Sequence, residues 1–284
     1  MQILVKGDHV MENTPRFSAS LSSEFLCRLI SQLDDDTVRA IILHGSYARG
    51  EALPPYSDVD LVRIVREMPD RKEQKRFIWF DGYLISISSR PLSVYRESFA
   101  TPERAIFVVP GIQEAHILLD KDGLFSVLQQ EAKAFRWEPL QEAADAYASQ
   151  LLMEQAEIVL KVLRSLSLSD VVALSDMVLD LLSATTEAIV VQRGILVRSG
   201  NTYFHQVQEE LGQNSLWTHY HLRTAGIAMK MEAIPSMEER GIAALHLYQE
   251  TSQLLQPHVL SEQWKVIDGV LRVIEHALSH EEVS

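Results

Sequence analysis

The chain of 284 residues contains one cysteine, Cys27. A single thiol gives neither a disulfide framework nor a thiolate metal cluster. Long apolar runs are also missing, and none approaches the roughly 20 residues of a membrane-spanning helix. The opening "MQILVKGDHVMENT" has no extended apolar centre and no small-residue cleavage site, so no signal peptide is expected there. A cytoplasmic, reducing location and the absence of a membrane partner follow as expectations. Cations are scarce: 26 Lys and Arg face 39 Asp and Glu, a net charge of −13. The first 140 residues carry 17 against 20, which leaves 9 against 19 for the remainder. Proteins hold nucleic acid largely by neutralising phosphates with cations. Nucleic acid is therefore disfavoured as a partner. A cationic small molecule suits the acidic half better, and plain solubility suits it best.

Hydrophobic residues make up 46% and charged residues 23%, ordinary globular proportions for a chain long enough to form two domains. The first part mixes periodicities. "SASLSSEFLCRLISQL" repeats Leu21, Phe25, Leu29 and Leu33 every fourth residue and predicts an amphipathic helix. "VRAIIL", "VDLVRIV", "RFIWF", "YLISI" and "AHILLD" read as strands, the third and fourth joined through the hairpin signal Asp81-Gly82. "DGLFSVLQQEAKAF" reads as a helix. After Pro139 the pattern is helical throughout, with Ser169 and Asp170 as a helix start, and the tail "SHEEVS" is expected to fray. The expected class is α+β: a mixed-sheet domain with flanking helices over residues 1–137, then an all-α bundle over 138–284.

The stretch from His44 to Leu61, "HGSYARGEALPPYSDVDL", sets Gly-Ser after one strand and two aspartates at the start of the next. Alternate strand residues share a face, so Asp58 and Asp60 point the same way and repel. A divalent cation is the usual counter-charge. Gly45-Ser46, eleven residues and then Asp58-Val59-Asp60 resembles the signature of the nucleotidyltransferase superfamily, the polymerase-β-like group that includes aminoglycoside and minimal nucleotidyltransferases. The resemblance spans about residues 20–135. It implies that Asp58 and Asp60 are catalytic and hold Mg²⁺, and that Gly45 and Ser46 hold the phosphates of an NTP, ATP for preference. Arg49 is either a further phosphate ligand or a surface residue.

Active members usually carry a third carboxylate on the neighbouring strand, which assists a second metal and serves as general base. The matching position is Ser86, with Ile85 and Ile87 on the opposite face, and "YLISISS" holds no acid. Asp81 is nearest but sits in the turn, where it is expected to point away. A serine is a poor base near neutral pH. In the helical half, Asp176, Asp180 and Glu187 fall near one helix face. Asp180 and Glu187 are the candidate acceptor-binding residues, against the plainer reading of a solvated face. His219 and His221, two apart on a helix, have poor metal geometry and read as structural. The expected activity is transfer of a nucleoside monophosphate from an NTP to a hydroxyl of a small-molecule acceptor, with Mg²⁺. The alternative is a nucleotide-binding or regulatory protein of the same fold that has lost catalysis.

Overall fold

The structure, a computed structural model, describes residues 20–228 and 233–281. The opening stretch read for a signal peptide and the end of the tail lie outside the described residues. Two compact units divide the chain. One takes the chain up to Val94 together with Gly111–Glu131, and the other takes Tyr95–Pro110 and everything from Ala132 onward.

The first unit begins with α1 (Ser23–Leu33), whose start is capped by Ser22, its hydroxyl accepting from the Phe25 amide at 3.1 Å. The fourfold spacing places Phe25, Leu29 and Leu33 on the buried face. β1 (Val38–His44) runs into the short α2 (Gly45–Arg49), and β2 (Val59–Val65) follows the proline loop. After α3 (Arg71–Gln74) come β3 (Lys75–Phe80) and β4 (Tyr83–Pro91). Asp81 and Gly82 join them with φ of +49° and +84°, the left-handed pair that a two-residue hairpin turn requires. The helices α4 (Leu92–Phe99) and α5 (Pro102–Gln113) precede β5 (His116–Asp120) and α6 (Leu124–Lys133).

The five strands form one sheet in the order β3-β4-β2-β1-β5. The β2–β4 pair is parallel and the other three pairs are antiparallel. Register sorts the two faces. Ile41, Leu43, Val59, Leu61, Ile85 and Ile87 are buried in one cluster with the apolar side of α1. Each such side chain contributes about 1.5–3 kcal/mol on burial. The other face carries what this packing leaves over: His44 opposite Asp60, Asp60 opposite Ser86, and Phe77 opposite Ser86 from the edge strand.

The second unit is helical: most of α4 and α5, then α7 (Gln141–Ser167), α8 (Val171–Arg193), α9 (Tyr203–Leu211), α10 (Leu216–Thr224), α11 (Met237–Leu255) and α12 (Ser261–Glu281). Asp170 caps α8, accepting from the Ala173 amide at 3.1 Å. Its buried cluster includes Leu152, Val178, Ile189, Trp217 and Tyr248. The periodicity had given no element over 92–113, where α4 and α5 lie. Pro110 stands inside α5 and reads as a breaker. A proline at that position leaves the carbonyl of Ile106 without its helical donor, and the Val197 amide fills the vacancy at 2.7 Å. A long-range hydrogen bond of that kind is invisible to local pattern.

Candidate functional site

β1 delivers His44, and the chain then turns at Gly45, whose φ is +70°. A Cβ built on Gly45 would stand 2.4 Å from Asp60 Oδ2 and 3.2 Å from the Asp60 Cβ and Cγ. The carboxylate of Asp60 thus rests against bare backbone, and any larger residue at 45 would displace it. Ser46 follows in the first turn of α2, where its carbonyl accepts from the Glu51 amide at 2.9 Å. The loop back to β2 includes a cis Pro54–Pro55 peptide and is tied by Ser57, whose hydroxyl accepts from the Leu53 amide at 2.8 Å. It ends at Asp58, one residue before β2. Gly45, Ser46, Asp58 and Asp60 are therefore brought together at the adjoining ends of two antiparallel strands.

The electrostatics are those of a crowded anionic site. Burial pushes the Asp60 carboxyl above its ordinary value, and the Asp58 charge pushes the same way. His44, a hydrogen bond from Ser86 and the Lys75 ammonium oppose that shift. His44 moves in the reverse sense: burial lowers it, aided by the charges of Lys75 and Arg49 and opposed by Asp60 and Asp58. Among the described residues, no group of three or more His, Cys, Asp and Glu is placed to hold a metal ion. Two carboxylates, one of them resting against a glycine, suit a cation such as Mg²⁺, which takes one or two protein carboxylates and completes its shell with phosphates and water.

Sequence reasoning passed over Lys75. It opens β3, and its Nζ donates to Ser86 Oγ at 2.5 Å while lying 5.2 Å from the centroid of the Phe77 ring. Ser86 is 2% exposed. The signal was present in "KRFIWF": alternation puts Lys75, Phe77 and Trp79 on one face. That the face is the one with the aspartates depends on strand order, which one sequence does not reveal. Beside Asp58 lies a cavity of about 350 Å³, lined in part by Tyr47, Tyr56, Trp79 and Tyr83. The Tyr47 hydroxyl is buried with no hydrogen-bond partner.

The other candidates sit as follows. Arg49 Nε pairs with Glu51 at 2.7 Å and stands 4.0 Å from Glu114, so its charge already has acidic partners. Asp81 pairs with Arg28 at the far end of the hairpin. Asp176 and Asp180 are exposed on α8, whereas Glu187 accepts from the Tyr147 hydroxyl at 2.6 Å. The three do not form one open acidic stripe. His221 is fully buried between Trp217 and Phe204, its Nδ1 3.1 Å from Gln208 Nε2, and burial pushes its pKa down to about 4. No described helix is long and apolar enough to cross a membrane.

A family model described as a nucleotidyltransferase domain matches residues 24–115. Two proteins of Methanocaldococcus jannaschii, both named as candidate protein adenylyltransferases, are each 45% identical to this chain, over 53 and 49 residues. Those matches cover 19% and 17% of this chain, and 35% and 48% of the relatives. The chain thus spans from a third to a half of the curated relatives it matches. A solved nucleotidyltransferase-like protein from Exiguobacterium sibiricum aligns over 88% of this chain and 79% of its own, with a TM-score of 0.48 and 16% identity. The glycine turn, the paired aspartates and the five-stranded mixed sheet all lie within or overlap the matched segment, so residues 24–115 of this chain match a nucleotidyltransferase domain and support a place in that superfamily.

Proposed function

We propose that the chain transfers a nucleoside monophosphate from an NTP to a hydroxyl group. The observation that carries this reading is the seat of Asp60 against the Cβ-less Gly45, with Asp58 beside it. Asp58 and Asp60 are the residues that would hold Mg²⁺. When bound, the ion would polarise the α-phosphate and balance charge on the leaving pyrophosphate. Gly45 lets the phosphates approach the backbone, and the Ser46 hydroxyl is available to them as a donor. An acceptor oxygen forms a bond to the α-phosphorus, the bond to the bridging oxygen breaks, pyrophosphate leaves, and the acceptor proton passes to solvent water.

The relatives named as protein adenylyltransferases favour ATP as donor and set a protein hydroxyl beside the small-molecule hydroxyl as acceptor class. A second reading has its own observation. The strand position facing Asp60 is occupied by Ser86, which supports a nucleotide-binding protein with slow or absent transfer. Calorimetry with Mg²⁺ and a non-hydrolysable ATP analogue tests both readings at once, because both require binding. Asp58→Asn combined with Asp60→Asn is expected to abolish it; unchanged binding would sink the site. Incubation with α-labelled ATP and panels of proteins and small polyols then separates the two. Label on any acceptor supports transfer, and binding without label supports the second reading.

A further inference from the structure

We propose that Lys75 is a built-in cation of the nucleotide site: held by Ser86 beside Asp60, its ammonium takes a phosphate oxygen of the bound triphosphate and restricts the site to one divalent cation. The proposal rests on the reading of Asp58 and Asp60 as metal–nucleotide ligands.

The register places the pieces. Asp60 pairs with Ser86 across the parallel β2–β4 ladder, and Phe77 pairs with Ser86 across β3–β4. Lys75, two residues before Phe77, shares its face and reaches along the strand to Ser86 Oγ. Ser86 is fully enclosed and stands opposite Asp60 across the ladder, so ammonium, hydroxyl and carboxylate lie next to one another. The face of Phe77 adds a weak attraction for the cation.

Two further observations give the lysine a task. Among the described residues no carboxylate closes an ion pair with it, although the chain is strongly acidic. Arg49, the other cation next to the glycine turn, is committed to Glu51 and Glu114. A cation that is held at the site, has no carboxylate partner among the described residues and lies beside Asp60 is suited to an incoming polyanion, and lysine ammonium is a usual phosphate ligand. The same charge disfavours a second divalent ion. Among the described residues no third acid is placed to hold one, and it would have to sit near an ammonium.

Electron paramagnetic resonance of Mn²⁺, titrated in the presence of an α,β-methylene ATP analogue, counts metal ions and reports their coupling without any turnover. The wild-type chain is expected to bind one Mn²⁺ with an uncoupled spectrum. Lys75→Met is expected to keep one Mn²⁺ and lose at least tenfold in analogue affinity, with Lys75→Arg restoring most of it. Lys75→Met combined with Ser86→Asp is expected to bind two spin-coupled ions. Lys75 is exposed on an edge strand, so the variants fold, and melting curves check that they do. Two coupled ions in the wild type overturn the proposal. So does analogue affinity within twofold of wild type in Lys75→Met, while dependence on Asp58 and Asp60 leaves the parent reading intact. No Mn²⁺ or analogue bound by the wild type overturns both.

Discussion

The two compact units handle buried polar groups differently. In the helical unit several are closed off within the unit, although the ring nitrogen His221 Nε2 is buried without a partner. Thr185 and Thr186 donate back to the carbonyls of Leu181 and Leu182 at 2.6 Å, and Trp217 Nε1 donates to Thr251 Oγ1 at 2.9 Å. Acids are absorbed as well: Asp145 accepts from Gln141 and Gln192, and Glu187 accepts from Tyr147. In the sheet unit one face is as dry as any core. The other brings two aspartates together without an ion pair between either and a described cation, one of them against the bare backbone of Gly45. Buried polar groups that are fully satisfied rigidify a fold, and those left short of partners mark places where a ligand completes the set. On the proposed reading, the site face of the sheet is the part that a ligand would complete.

The most forceful way to break this contrast is to damage the helical core. Trp217 is 1% exposed and stacks on His221 with 4.7 Å between ring centroids. Trp217→Ala removes that packing and leaves Thr251 without its donor. The expected loss is about 3–5 kcal/mol, as for large-to-small changes of buried aromatics. Differential scanning calorimetry should show a large fall in melting temperature. Below the new transition, affinity for Mg²⁺ and an ATP analogue should stay within about twofold, less than 0.5 kcal/mol. A collapse of nucleotide affinity in folded Trp217→Ala would show that the two roles are not separable.

Much of this contrast was legible in the chain and part of it was not. Period-two runs and the Asp81-Gly82 turn identify the strands, because alternation and left-handed turn residues are local properties. Gly45-Ser46 and Asp58-Val59-Asp60 mark the site for the same reason: the motif lies within one strand-turn-strand segment. The Ser86 position also followed from alternation, since Ile85 and Ile87 had to be buried. What escaped depends on contacts distant in sequence. Lys75 joins the site only because β4 pairs with both β3 and β2. Glu187 meets Tyr147 from another helix. Helix α5 conceals itself with an internal proline whose orphaned carbonyl is satisfied by Val197.

A smaller and more local change sharpens the comparison from the other side. Gly45→Ala costs about 1–2 kcal/mol for a left-handed non-glycine residue. Its methyl would also meet Asp60 Oδ2 at 2.4 Å and drive the carboxylate aside. Stability should fall modestly, while analogue affinity should fall about a hundredfold, close to 2.7 kcal/mol. The order of the two effects is therefore reversed relative to Trp217→Ala. Equal affinities for wild type and Gly45→Ala would mean that Asp60 is not pressed against this turn when nucleotide binds.

The smallest expected effect is the most specific, because it reverses sign with added metal. Burial and the charge of Asp58 raise the Asp60 carboxyl above its ordinary 3.8, so ionising it costs the folded chain more than the unfolded one. That contribution is favourable below 3.8 and is lost as pH climbs through the raised value. Asp60→Asn carries no such charge. In metal-free buffer its melting temperature should therefore rise relative to wild type as pH increases from about 4, and the gap should level off once Asp60 is ionised in the folded chain. Loss of the Ser86 hydrogen bond to a carboxylate works against the gain, which keeps it small. Adding Mg²⁺ should stabilise the wild type by mass action and leave Asp60→Asn nearly unmoved. The gap should then narrow or invert at neutral pH. A melting curve of Asp60→Asn that stays below wild type at every pH in chelator would mean that the aspartate pair is compensated within the fold and has no need of a bound cation.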